Sequence, residues 1–139
     1  MGRGRSTRAA SLAVLGASLA LAGCSGDRDT GEGRRVEAAV KRFALSHGPD
    51  ACDLFTHHGL TRVYGGASDD PVVAKRRCQR QGARFEGQPV AVTFVKLKSS
   101  TDAQATARTL DRRHWYTVAL LKRRDRWLID AVTATPPPT

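Results

Sequence analysis

The chain has 139 residues, 23 basic and 13 acidic, for a formal net charge of +10. At 40% hydrophobic and 26% charged it holds enough apolar material for one packed domain and too few residues for several. The basic excess suits an anionic partner in principle, but the first twenty residues direct the chain out of the cytoplasm, which sets nucleic acid aside.

Arg3, Arg5 and Arg8 form a positive start, followed from Ala9 to Leu21 by an apolar or small run carrying Leu12, Val14, Leu15, Leu19 and Leu21. A membrane-spanning helix needs roughly 20 apolar residues. This run stops short of that at Ser25-Gly26-Asp27, so it reads as an export signal. Arg3-Gly4-Arg5 is not a twin-arginine pair, which points to the general secretion route. The four residues Leu21-Ala22-Gly23-Cys24 closely resemble the bacterial lipoprotein signal. That resemblance implies a lipid on the Cys24 thiol, cleavage before Cys24, and anchoring on the outer face of the cell membrane. The alternative is a plain secretory signal with an incidental cysteine. Removing residues 1–23 leaves 116 residues and takes away three arginines, so a charge of about +7 remains. Such a charge would attract anionic headgroups or wall polymers, or simply form a solvated arginine-rich surface.

Residues 24–33 hold Gly26, Gly31 and Gly33 and read as a flexible tether to a domain spanning 34–133. Val36, Ala39, Val40, Phe43 and Ala44 recur at helical spacing up to Gly48-Pro49. Asp50 is placed to cap a short helix carrying Cys52, Leu54 and Phe55. Gly59 reads as an interruption, with Leu60, Val63 and Tyr64 resuming a turn before Gly65-Gly66. Asp69-Asp70-Pro71 starts a further helix through Val73, Arg77, Cys78 and Gln81.

Cys52 and Cys78 are the cysteines left after Cys24, and an even pair in an exported domain reads as a disulfide. Closing that loop is worth roughly 3.5 kcal/mol in the chain-entropy model. His57 and His58 raise a zinc alternative, but their spacing from the cysteines fits no finger or ribbon. No metal or cofactor is expected.

The period then changes from helix to strand. Val90, Val92 and Phe94 alternate with Ala91, Thr93 and Val95; Ala103, Ala105 and Ala107 give a second strand with a small-residue face. Trp115 to Lys122 and Trp127 to Val132 follow, joined by Arg124-Asp125, and Pro136-Pro137-Pro138 lies in a tail over 134–139 that cannot pair.

Helices followed by an antiparallel meander, with Ala51-Cys52-Asp53-Leu54-Phe55, Cys78, and the hairpin Tyr116–Leu121 with Trp127-Leu128-Ile129, resemble the nuclear transport factor 2-like superfamily from Glu32 to Val132. The resemblance implies an α+β fold whose N-terminal helices pack on a curved antiparallel sheet shaped as a cone. The superfamily includes ketosteroid isomerase-like and epoxide hydrolase-like enzymes, but none of their site motifs matches this chain, and fold alone licenses no chemistry. Tyr64, Tyr116, Trp115 and Trp127 are candidates to line a cavity, as is Asp130, a carboxylate on an apolar strand that an arginine such as Arg126 or Arg108 would hold if it is structural. His114 reads as an exposed turn residue. No catalytic residue is assigned, since no nucleophile elbow or phosphate loop is present. The expected function is a non-catalytic envelope lipoprotein binding a small apolar ligand or another envelope protein. A small isomerase or hydrolase acting in the cavity is the alternative.

Overall fold

The computed structural model describes residues 26–46, 49–81 and 88–139, so Cys24 and the signal lie outside the described residues. Four helices come first: α1 (Gly31–Leu45), α2 (Pro49–Cys52), α3 (His57–Tyr64) and α4 (Pro71–Gln81). Four strands follow: β1 (Val90–Leu97), β2 (Asp102–Thr109), β3 (Trp115–Arg123) and β4 (Arg126–Thr135). They form one antiparallel meander in the order β1-β2-β3-β4, so the fold is α+β.

Helix α1 begins where Thr30 Oγ1 accepts the Gly33 amide at 3.0 Å, with Glu32 in its first turn. Its buried stripe of Val36, Val40, Phe43 and Ala44 packs on the sheet, touching β1, β2 and β4. The face it meets includes Ala103, Ala105 and Ala107 of β2, all buried, and these small side chains leave room for the larger residues of α1. Phe43, Phe55 and Tyr64 continue the core as a chain of edge-to-face rings, with centroids 5.0 and 6.1 Å apart. Asp70 Oδ1 accepts the Val72 amide at 2.8 Å to start α4, whose buried residues are Ala74 and Cys78. Cys78 is disulfide-bonded to Cys52, joining α4 to α2.

Two bulges reset the side-chain alternation. Between Val92 and Phe94 the β1 register shifts, so the buried residues run Val90, Val92, then Val95, and Phe94 leaves the core face. In β4, Ala131 pairs with Ala119 and Ile129 with Leu120, which leaves Asp130 as the extra residue. Asp130 therefore does not belong to a regular face with Leu128 and Val132.

The segments before α1 and before α3 cover the two edges of the sheet. Asp27 donates its amide to Val95 O at 2.7 Å and accepts the Leu97 amide on its carboxylate at 2.8 Å, while Arg28 Nη1 donates to Val92 O at 2.9 Å. At the far edge, Ile129 donates to Leu54 O at 2.8 Å and accepts the Thr56 amide at 2.9 Å. Edge groups that would otherwise stand open to other chains are thus paired.

These contacts correct four readings of the sequence. Residues 26–33 are not a free tether: Gly26, at φ 62°, sits where a Cβ would strike Val95 O and the Phe94 ring, so this glycine serves close approach. Helix α2 ends at Cys52, because Leu54 and Phe55 leave it to pair with β4. Gly59 does not interrupt α3; a Cβ there would stand 2.7 Å from Ile129 O, so its bareness lets the helix lie on the β4 backbone. Strand β4 also runs past Val132, pairing Thr135 with Trp115, so 134–135 belong to the sheet and not to the tail.

Candidate functional site

A cleft of about 200 Å³ opens between α1 and the β3–β4 hairpin. Ala38, Ala39, Leu54, Trp127 and Ile129 give it apolar walls. Arg35, Arg42 and Arg126 stand around it with Asp125. Arg35 and Arg42 reach the same side because they are seven residues apart on one helix, with Ala38 and Ala39 between them. Arg126 arrives through a two-residue turn, Arg124-Asp125, whose φ values of 47° and 63° match the tight hairpin geometry normally given to Asn and Gly.

One carboxylate ties two lining residues, Trp127 and Arg35, together. Glu32 Oε2 accepts from Trp127 Nε1 at 2.9 Å and from Lys122 Nζ at 3.1 Å, and Glu32 Oε1 accepts from Arg35 Nη1 at 2.8 Å. The bonds from Lys122 and Trp127, then from Arg35, bring the Glu32 carboxyl down to a pKa of about 2 against partial desolvation. Arg35 also donates through Nη2 to Asp125 O at 2.7 Å and lies 3.4 Å from its carboxylate, so its guanidinium is engaged on both sides. Arg42 and Arg126 differ: among the described residues neither side chain has a carboxylate within ion-pair distance.

A second polar cluster lies elsewhere, where α3 meets the β4 bulge. Thr56 Oγ1 donates to Asp130 Oδ1 at 2.7 Å and accepts the Gly59 amide at 2.9 Å, capping α3. His58 Nδ1 stands 3.2 Å from the same carboxylate oxygen. Neither His58 nor Asp130 lines the cleft.

Of the five proposed cavity residues, Trp127 alone lines this cleft. Tyr64 is buried in the aromatic chain. Tyr116 borders a gap of about 10 Å³ with Val40 and Phe43, room for a single water at most. Trp115 lies on the opposite face of β3, with the Arg108 guanidinium 5.8 Å from its ring centroid. Asp130 is held by Thr56 and His58, where an arginine had been expected. His114 is exposed. Glu32, Arg35 and Arg42 were not singled out from the sequence, and Arg126 was named only as a partner for Asp130; the Arg35–Arg42 spacing was visible, but nothing local tells which hairpin lands on that side of α1.

Among the described residues no helix is long and apolar enough to cross a membrane, and no group of three or more His, Cys, Asp or Glu is placed to hold a metal ion. No protein-family model, curated protein or solved structure gives a significant match to this chain.

Proposed function

We propose that this chain is an envelope lipoprotein, anchored through lipid on Cys24, whose cone-shaped domain of the nuclear transport factor 2-like kind binds a ligand in the cleft between α1 and the β3–β4 hairpin. The observation that carries the binding reading is the cleft itself: apolar walls of Ala38, Ala39, Leu54 and Trp127, with guanidinium groups at hand to orient what enters. Pockets for drug-sized ligands run to roughly 300–1,000 Å³. A cleft of about 200 Å³ suits a smaller molecule or a single side chain of another envelope protein. Anchoring would also bring the domain close to the bilayer. Gly26 is bridged to Val95 only two positions after Cys24, a reach of about 7 Å of extended chain.

The enzymatic alternative draws on the His58–Asp130 pair, in which a carboxylate faces an imidazole as in general acid–base sites. That pair has no part in the cleft, and Thr56 occupies the same carboxylate oxygen, so the binding reading is the better supported.

Two measurements test the proposal. Wild-type protein should partition into the detergent phase and Cys24→Ala should not; equal partitioning of the two removes the anchor. An NMR fragment screen on the whole chain in nonionic detergent should place hits at Ala38, Ala39 and Trp127, and Ala38→Trp should abolish them. Hits confined to other surfaces, or unchanged by the filled cleft, refute the binding site.

A further inference from the structure

We infer that the cleft takes a small organic anion: a compact apolar or aromatic body with one carboxylate or phosphate group, held by Arg42 and Arg126. The inference rests on the reading of the cleft as a binding site and adds what that site selects. Four cations (Arg35, Arg42, Arg126 and Lys122) stand around or beside the cleft against two carboxylates (Glu32 and Asp125). The two carboxylates are already taken. Glu32 is bonded by Lys122, Trp127 and Arg35, and Asp125 lies within 3.4 Å of both Arg35 and Lys122. What is left over is the positive charge of Arg42 and Arg126, the two guanidinium groups without a carboxylate partner among the described residues.

Their position decides what the charge can do. Both residues line the same cleft as Ala38, Ala39 and Trp127, so an anion bound there would have apolar contact along its body and two arginines beside its charged end. Guanidinium presents paired N–H groups that match the two oxygens of a carboxylate or phosphate, and such bonds are about twice as strong as neutral ones. Trp127 adds a fixed aromatic wall, since its indole N–H is committed to Glu32. A neutral ligand of the same shape would leave both arginines as they are and gain only the apolar contact.

Benzoate, benzyl alcohol and inorganic phosphate separate the contributions, titrated into the whole chain in nonionic detergent with the Trp127 indole and the Ala38 and Ala39 methyl signals as readouts. Benzoate should shift these signals saturably, about tenfold more tightly than benzyl alcohol. Arg42→Gln and Arg126→Gln should each weaken benzoate severalfold while leaving benzyl alcohol unchanged. Both arginines are exposed, so these variants should keep the fold, which the unchanged amide spectrum checks. Benzyl alcohol binding as tightly as benzoate would overturn the anion preference and leave the cleft as an apolar binding site. Inorganic phosphate matching benzoate would overturn the organic body. If neither organic probe reaches the cleft signals, this inference and the binding reading beneath it both fall.

Discussion

The indole of Trp127 donates to Glu32 at 2.9 Å, joining the first turn of α1 to the last strand of the sheet. The same carboxylate bonds Arg35 and Lys122, which with Asp125 form a single charged cluster around the β3–β4 turn. Glu32 and Trp127 lie 95 positions apart, so the contact exists only once the meander has folded back on the helix.

The cluster makes acid stability a test of the cleft. The Glu32 carboxyl falls from an ordinary value of 4.5 to about 2 in the folded chain. A carboxyl depressed by folding stabilises the native state above its unfolded pKa and loses that contribution as pH falls through the folded one. Glu32→Gln should therefore flatten the decline in stability between about pH 5 and pH 2. Urea midpoints of wild type and variant across that range check it; parallel curves would mean that Glu32 is not so held.

The disulfide can be removed from either side. Cys52 and Cys78 are both buried, at 1% and 0% exposure, so a serine at either position leaves a hydroxyl in the core as well as opening the loop. Cys52→Ser and Cys78→Ser should each cost roughly 2–5 kcal/mol by denaturant unfolding, and wild type under reducing conditions should fall toward them. A loss below about 1 kcal/mol would show that the bridge constrains little.

Two glycines in the first turn of a helix should behave in opposite ways. Gly59→Ala puts a methyl 2.7 Å from Ile129 O and 3.0 Å from Asp130 O, both backbone atoms of β4 that cannot step aside, and should cost about 1–3 kcal/mol. Gly31→Ala meets nothing within 4 Å at the start of α1 and should be neutral or stabilising by about 0.4–1 kcal/mol. Thermal unfolding of both variants decides it; equal shifts would contradict the close packing of α3 on β4.

This contrast also shows where sequence reading stops. The periodicity of Val36, Val40, Phe43 and Ala44 and the alternation of Ala103, Ala105 and Ala107 were enough to place α1 and β2, because a buried stripe repeats at the period of its own element. Gly26 and Gly59 looked like flexibility and interruption, because a glycine's purpose depends on the backbone opposite it, here Val95 and Ile129. The bulges at Val92/Phe94 and Asp130 leave no periodic signature; the first takes Phe94 out of step with Val90 and Val92, and the second breaks the β4 alternation after Ile129. The cleft was hidden for the same reason. Arg126 and Arg42 are far apart in the chain, and only the docking of the β3–β4 hairpin against α1 makes them neighbours of one space.

The Thr56–Asp130–His58 cluster allows a last prediction, which separates structure from chemistry at that site. Thr56 does two jobs through one hydroxyl: it accepts the Gly59 amide as the cap of α3, and it donates to the Asp130 carboxylate in the bulge. It is 6% exposed, so losing the hydroxyl strands the buried Gly59 amide and takes one donor from the Asp130 carboxylate. Thr56→Ala should cost about 1–3 kcal/mol, while Thr56→Ser keeps the oxygen and should cost little. The His58 side chain is 62% exposed, and pairs of that kind contribute roughly 0–1 kcal/mol. His58→Gln should therefore leave stability nearly unchanged. Denaturant unfolding of the three variants should rank Thr56→Ala far below the other two. If His58→Gln proved as damaging as Thr56→Ala, the imidazole would be a structural tie. If it left the fold intact but abolished turnover of a substrate, the enzymatic alternative would replace the binding reading.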